Sequence, residues 1–195
     1  MPDIDMTPGN RDPNRYKGKK VLSAALLALV VAGAPAIDIF QQLEYENEGS
    51  RLVAYPDGEG IWTICGGLTH INGQPVRKDM KLSVEECRTA DKQAFAFALA
   101  MAEAIVGKDA WAKLSEPAKA AVADMVHNLG PAQTAKSTAV RELRAGHIND
   151  GCAAITRYIR DRGRDCRKAG SNCQGQPIRR MKADALCLIP KESPA

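Results

Sequence analysis

The apolar positions fall into three regimes along the chain. Residues 1–20 have no apolar period and read as a disordered polar leader, with Pro2, Pro8 and Pro13 set among Asp, Asn and Arg. Residues 21–37 carry no charge at all. From residue 38 the pattern becomes mixed. Residues 38–48 (DIFQQLEYENE) predict a short helix with Ile39, Phe40 and Leu43 inward, stopped at Gly49. Residues 55–76 are rich in Gly and Pro. Their β-forming segments, Ile61-Trp62-Thr63-Ile64 and residues 68–71, are divided by Gly66-Gly67 and predict a small hairpin sheet.

Beyond Leu82 the period is helical. Ser83-Val84-Glu85-Glu86 has the form of a capping box, in which each side chain satisfies the other residue's free backbone amide, and it opens an alanine-rich helix to about Val106. Ser115-Glu116-Pro117 starts another helix, ending at Gly130-Pro131. Residues 137–145, 150–159 and 178–187 predict three more, with a polar loop over 163–177. A little sheet followed by a helical body is an α+β pattern.

Composition narrows the class. With 195 residues, 45% apolar and 26% charged, the chain suits one folded domain and excludes a collagenous, low-complexity or wholly disordered protein. The net charge of +4 is unevenly spread: residues 38–140 hold 10 basic and 14 acidic groups, and residues 141–182 hold 11 basic and 4 acidic. The cationic C-terminal third favours a polyanion such as nucleic acid, anionic lipid or cell-wall polymer without choosing among them. No charged tail is long enough to indicate nucleic acid.

Lys17, Lys19 and Lys20 precede the uncharged run, and a cationic flank before an apolar stretch marks a secretory signal or a membrane anchor. Seventeen residues are at the short end for spanning, where about 20 are needed. Six alanines and Gly33 make the run weakly hydrophobic. Ala34-Pro35-Ala36 is similar to a signal cleavage site, and a buried helix of the folded body is a third reading. The chain thus divides into a leader (1–20), a signal-anchor segment (21–37) and a folded body (38–195). Export to an oxidising compartment agrees with six cysteines, which allow 15 pairings. Among these, a Cys166–Cys173 pair would close a small loop and a Cys152–Cys187 pair would tie two late helices, with the other pairings left open. No CxxC occurs and His70, His127 and His147 form no ligand array, so no metal is expected.

Glu48 ends a predicted helix, Asp57 follows in a glycine-rich turn, and Thr63 lies on the next strand. Glycosidic cleavage needs two carboxyl groups, one to deliver a proton to the leaving oxygen and one ionised to activate water or attack carbon. The frame around them is more specific than the acids: Glu48-Gly49, Tyr55-Pro56-Asp57, Gly60-Ile61-Trp62-Thr63-Ile64 and Gly66. It resembles the phage-type lysozymes, the endolysins of glycoside hydrolase family 24. Asn128-Leu129-Gly130, Gly163-Arg164-Asp165-Cys166-Arg167, Ser171-Asn172-Cys173 and Arg179-Arg180 extend the resemblance over about residues 38–190.

The resemblance implies a lysozyme-like α+β fold, with a small β-hairpin lobe and a larger helical lobe, preceded by a membrane signal-anchor helix. It implies hydrolysis of the β-1,4 bond between N-acetylmuramic acid and N-acetylglucosamine in peptidoglycan, and so host lysis. Glu48 would be the proton donor, Asp57 the ionised partner and Thr63 the residue that orients water; no cofactor is implied. Tyr55 and Trp62 are candidates for stacking on sugar, with core packing the blander use. Arg179-Arg180 would fix a carboxylate or touch the wall, against the plainer reading of a solvated helix face. The implied setting is the periplasmic side of the bacterial inner membrane, reached by Sec export, with a holin as functional partner, a monomeric enzyme and no nucleic acid. Release would follow depolarisation, and the body would refold its first helix from released residues.

Two departures from the family pattern stand out. Where many members read Gly-Tyr-Gly-His-Thr, this chain reads Cys65-Gly66-Gly67-Leu68-Thr69-His70, so the histidine has moved. Cys65 stands where glycine is frequent, and a structural disulfide with Cys87 is expected. Two other functions remain open on the sequence: an exported thiol endopeptidase or amidase with Cys65 as nucleophile and His70, His127 or His147 as base, and a non-catalytic wall-binding module.

Overall fold

A computed structural model of the protein describes residues 8–191 other than 13, 18, 19, 59 and 162. Pro2, Pro13, Lys19 and Glu59 lie outside the described residues. In chain order the elements are α1 (Ala24–Val31), α2 (Ala36–Glu48), β1 (Arg51–Pro56), β2 (Trp62–Cys65), β3 (His70–Ile71), β4 (Gln74–Pro75), α3 (Val84–Val106), α4 (Lys108–Trp111), α5 (Glu116–Leu129), α6 (Pro131–Ala135), α7 (Thr138–Arg144), α8 (Ile148–Ile155), β5 (Arg160–Asp161), β6 (Arg164–Asp165) and α9 (Gly175–Cys187).

The helical lobe is built around α5. Ala118, Ala120, Ala121 and Ala123 are buried there, and such small side chains let α2, α3 and α9 pack closely on it. One core gathers Phe40 and Leu43 of α2, Phe95 and Ala102 of α3, Met125 of α5 and Leu143 of α7. A second, smaller core sits under the strands and holds Ala54, Ile64, Leu68, Val76 and the Cys65–Cys87 pair. Helix α3 joins the two, with Cys87 in the small core and Phe95 in the large one. Its start is the expected capping box: Ser83 Oγ accepts from the Glu86 amide and Glu86 accepts from the Ser83 amide at 2.7 Å.

The strands depart from the sequence reading. Trp62–Cys65 pairs antiparallel with Arg51–Pro56, a strand that patterning missed, in the register Tyr55↔Thr63 and Pro56↔Trp62, with an irregularity before Tyr55. Residues 68–71 contribute only the Ile64↔Leu68 bridge and the two-residue strand β3, which pairs with β4. The chain turns too sharply across Cys65 (φ 56°) and Gly67 (φ 92°) to let a longer hairpin form. The loop over 163–177 also holds structure: Arg160–Asp161 and Arg164–Asp165 make a third hairpin, and α9 begins at Gly175. Helix α8 runs from 148 to 155, two residues earlier than expected at its start and four at its end.

The uncharged run 21–37 is divided. Residues 24–31 form α1, the chain turns through Gly33, and Ala36 and Ile37 belong to α2. Leu26 is buried in the main core, whereas Leu27 and Val31 face outward. Among the described residues no helix is long and apolar enough to cross a membrane. Among the described residues of the leader, Arg15 differs from the disorder expected, since it is buried against α9.

Three disulfides staple the body: Cys65–Cys87 between β2 and α3, Cys152–Cys187 between α8 and α9, and Cys166–Cys173 within the loop that precedes α9. All six cysteines are thereby paired.

Candidate active site

Helix α2 carries the candidate proton donor at its last residue, and Gly49 stops the helix there. The Glu48 carboxyl is 37% exposed, the only acid of its cluster that reaches solvent. It opens on a cleft of about 410 Å³ lined by Glu48, Gly58, Asp161, Asn172, Gln176 and Arg179. Gly67, in the turn between β2 and β3, also approaches Glu48: a Cβ there would lie 3.8 Å from Glu48 Cγ, an ordinary contact, so the φ of 92° rather than crowding calls for glycine.

Asp57 sits half-buried at the turn joining β1 to β2. Its backbone amide donates to the Ile61 carbonyl at 2.9 Å, and its Oδ1 accepts from the Ile61 amide at 2.9 Å. The residue therefore fixes the turn with its own side chain, across four residues. Tyr55 feels the site: burial raises its hydroxyl pKa, the Arg51 guanidinium stacked 4.2 Å over its ring opposes that, and the negative charges of Glu48 and Asp57 add to it. Thr63 is directly across the sheet from Tyr55, but it is buried, and its hydroxyl donates to the Ile61 carbonyl at 3.1 Å. Trp62 packs against the smaller core, which agrees with its blander use.

Beneath Glu48 lies a charged network that sequence reasoning largely missed. Arg179 donates through Nε to Asp124 Oδ1 at 2.7 Å, through Nη2 to both oxygens of Glu44 at 2.7 and 2.8 Å, and through Nη1 to Glu48 Oε1. Arg180 donates to Asp124 Oδ2 at 2.9 Å, to Asn128 Oδ1, and to the Tyr158 carbonyl at 3.2 Å. Both arginines are buried, which overturns the solvated-face reading, while the carboxylate-fixing alternative describes what they do. Their charges need partners, since an uncompensated ion in a core costs several kcal/mol.

The partners divide unequally. Burial pushes Glu44 well above the usual carboxylate range, and Asp124 adds to the shift while Arg179 only partly offsets it. Burial acts the same way on Asp124, but Arg179 and Arg180 together outweigh it and hold Asp124 low. The two acids are thus driven in opposite directions, Glu44 toward its protonated form and Asp124 toward its carboxylate. His127 approaches Glu44 at 3.5 Å and stacks edge-on against Phe40 and Phe95; burial and the Arg179 charge lower its pKa, so the ring is neutral at pH 7. A signal for this network was present. Glu44 shares the inward stripe of Phe40 and Leu43, and Asp124 interrupts an apolar run in α5.

The remaining candidates lie elsewhere. Cys65 is buried in its disulfide, so it offers no thiolate, and the thiol reading loses its nucleophile. His70 is exposed beside Thr69, and His147 pairs with Glu142 at 3.2 Å on the outer surface.

A family model described as phage lysozyme matches residues 45–182. A protein named SAR-endolysin from Escherichia phage 933W is 45% identical over 166 residues, covering 85% of this chain and 92% of that one. A probable prophage lysozyme of Escherichia coli (strain K12) matches with the same identity and coverage. Among solved structures, the active form of the phage P1 endolysin superposes with a TM-score of 0.64 at 19% identity, over 85% of this chain and 92% of that one, a likeness of fold. Helices with small sheets, a cleft beside the last residue of α2 and these matches define a lysozyme-like glycoside hydrolase. The chain belongs to the phage lysozyme family.

Proposed function

We propose that the chain is an endolysin that hydrolyses the β-1,4 bond between N-acetylmuramic acid and N-acetylglucosamine, with Glu48 delivering the proton and Asp57 as the ionised partner. The observation that carries this is the position of Glu48, the solvent-facing carboxyl of a buried cluster, oriented by Arg179 at the floor of the cleft. Glu48 protonates the leaving oxygen as the glycosidic bond breaks. Asp57, held by the turn it closes, stabilises positive charge on the sugar or positions water. Thr63 orients that water after its hydroxyl turns away from the Ile61 carbonyl. Tyr55, beside both acids, contacts the sugar at the mouth, and Trp62 supports the strand from the smaller core. Digests of purified peptidoglycan check the bond: new reducing ends on muramic acid support the reading, and new free amines from peptide cleavage contradict it.

We further propose that residues 21–37 first anchor the protein in the inner membrane after Sec export, facing the periplasm, and leave when a holin depolarises the membrane. The name SAR-endolysin borne by relatives supports this, as does the weak alanine-rich run behind Lys17 and Lys20. The packing of Leu26 into the core supplies a released state for α1. Fractionation of cells before and after an uncoupler is the test. Movement from the membrane to the soluble fraction supports release. Retention in the membrane, or loss of the N-terminus at Ala36, contradicts it.

A further inference from the structure

The polar leader is the part of the chain that catalysis and anchoring leave without a role beyond topology, and its described residues lie against the body. The Gly9 amide donates to Thr156 Oγ1 at 2.6 Å, Asn149 Nδ2 donates to the Arg11 carbonyl at 2.6 Å, and Arg11 pairs with Asp150 at 3.2 Å. These contacts are at the rim. Arg15 goes further: its Nε donates to Asp184 Oδ2 at 2.8 Å and its Nη2 to Oδ1 at 2.5 Å, with side chains 2% and 0% exposed. The Tyr16 hydroxyl donates to the same Oδ2 at 2.6 Å. Next to this pair Val21 packs on Met181 and Ala185, flanked by Tyr16 and Leu22.

Asp184 therefore takes its side-chain hydrogen bonds, among the described residues, from the leader. Burial raises its pKa, and Arg15 and Tyr16 pull it back toward the charged form. A fully buried carboxylate that loses such partners is strongly destabilising. The topology of an anchored chain withholds them. With residues 21–37 across a hydrocarbon core of about 30 Å, the cationic leader stays on the cytoplasmic side and α9 on the other. The Arg15–Asp184 contact then belongs to the released protein alone.

We infer that the leader is a latch: once residues 21–37 leave the bilayer, Arg15 and Tyr16 seat on Asp184 of α9 and fasten α1 to the body. This rests on the proposed anchoring. It gives release a direction, because reinsertion would strip a buried charge of its counter-ion. It also reaches the cleft through one rigid element. Helix α9 carries Asp184 one turn beyond Arg180 and five residues beyond Arg179, the side chain that orients Glu48.

The test uses the full chain with Arg15→Met, Asp184→Asn and both changes; Lys17, Lys19 and Lys20 keep the cationic flank. In the purified soluble protein, Arg15→Met is expected to lower Tm on the order of 10 °C. Adding Asp184→Asn is expected to restore at least half of that, because the stranded charge is gone. A Tm within about a degree of wild type for Arg15→Met, or simply additive single effects, overturns the latch. Fractionated cells supply the second arm. Wild type moves to the soluble fraction after an uncoupler, and Arg15→Met is retained equally before it but returns to the membrane several-fold more afterwards. Arg15→Met behaving as wild type overturns the latch and leaves release standing. Wild type that stays in the membrane overturns release, and the latch with it.

Discussion

At the scale of single residues, the site is decided by how one arginine is shared. Arg179 serves Asp124, Glu44 and Glu48 at once, and of these three acids only Glu48 reaches the cleft. Folding raises the Glu44 pKa, so above its ordinary value of 4.5 the folded protein binds more protons than the unfolded chain. The stability that Glu44 contributes is complete below pH 4.5 and is lost as pH rises through the raised folded value. Glu44→Gln, which mimics the protonated form, is expected to flatten this fall by up to about 1.4 kcal/mol per pH unit. Thermal unfolding of both proteins from pH 4.5 to 8 checks it, and parallel curves would contradict the assignment. Glu48, Asp57 and Thr63 were legible as candidates only because their frame resembles a family; two acids nine residues apart carry no such information. Arg179 and Arg180 were legible as residues but not as buried ones, since a pair of adjacent arginines ordinarily marks solvent. Cys65 shows the reverse. The resemblance marked a position where glycine is frequent, and its φ of 56° explains why. A non-glycine residue there costs about 1–2 kcal/mol.

At the scale of elements, helices were easier to read than strands. The boundaries of α3 and α5 follow from Ser83 and Ser115 at the N-caps, local chemistry written in adjacent residues. Strand β1 depends on a partner across a turn, and Arg51 to Pro56 carries no alternation strong enough to announce it, since only Ala54 is fully buried. The segment after Gly66 looked like a strand by propensity, but the turn through Cys65 and Gly67, both at positive φ, leaves it too short to pair widely. Close helix packing yields a prediction of its own. A Cβ added to Gly151 of α8 would lie 2.6 Å from Leu143 Cγ and 3.2 Å from the Ala139 carbonyl of α7. Alanine would gain about 1 kcal/mol of helix propensity but meet an overpacking penalty of about 1–3 kcal/mol. Gly151→Ala is expected to lower Tm by a few degrees, measured by calorimetry; a rise in Tm would mean that α7 and α8 separate freely.

At the scale of the whole molecule, the proposed release has the same seventeen residues serve two states, and their composition suits neither to excess. Leu26 and Ala36 enter the core, whereas Ala25 and Ala28 are exposed once α1 has folded. Enlarging the exposed pair changes the membrane state and leaves the folded one nearly untouched. Each Ala→Leu exchange adds three CH₂ equivalents of burial in lipid at about 0.8 kcal/mol each. Ala25→Leu with Ala28→Leu is therefore expected to raise membrane retention after depolarisation by 100-fold or more, read by fractionation. Unchanged partition would argue against an anchor in this segment. The run was visible in the sequence, but its division at Gly33 was not, because a uniform apolar stretch gives no sign of where a soluble fold will turn it. The charge imbalance of the sequence is reduced in the fold, where Arg179 and Arg180 of the cationic C-terminal third are buried against Glu44 and Asp124.

The central claim is that Glu48 supplies the proton. The most direct measurement compares new reducing ends released from purified peptidoglycan by wild type, Glu48→Gln and Asp57→Asn, with thermal unfolding confirming that each variant is folded. The amide keeps the shape and a contact to Arg179 but has no proton to deliver, so Glu48→Gln is expected to lose activity 100-fold to 10,000-fold. Release of reducing ends at close to the wild-type rate by folded Glu48→Gln would contradict the account.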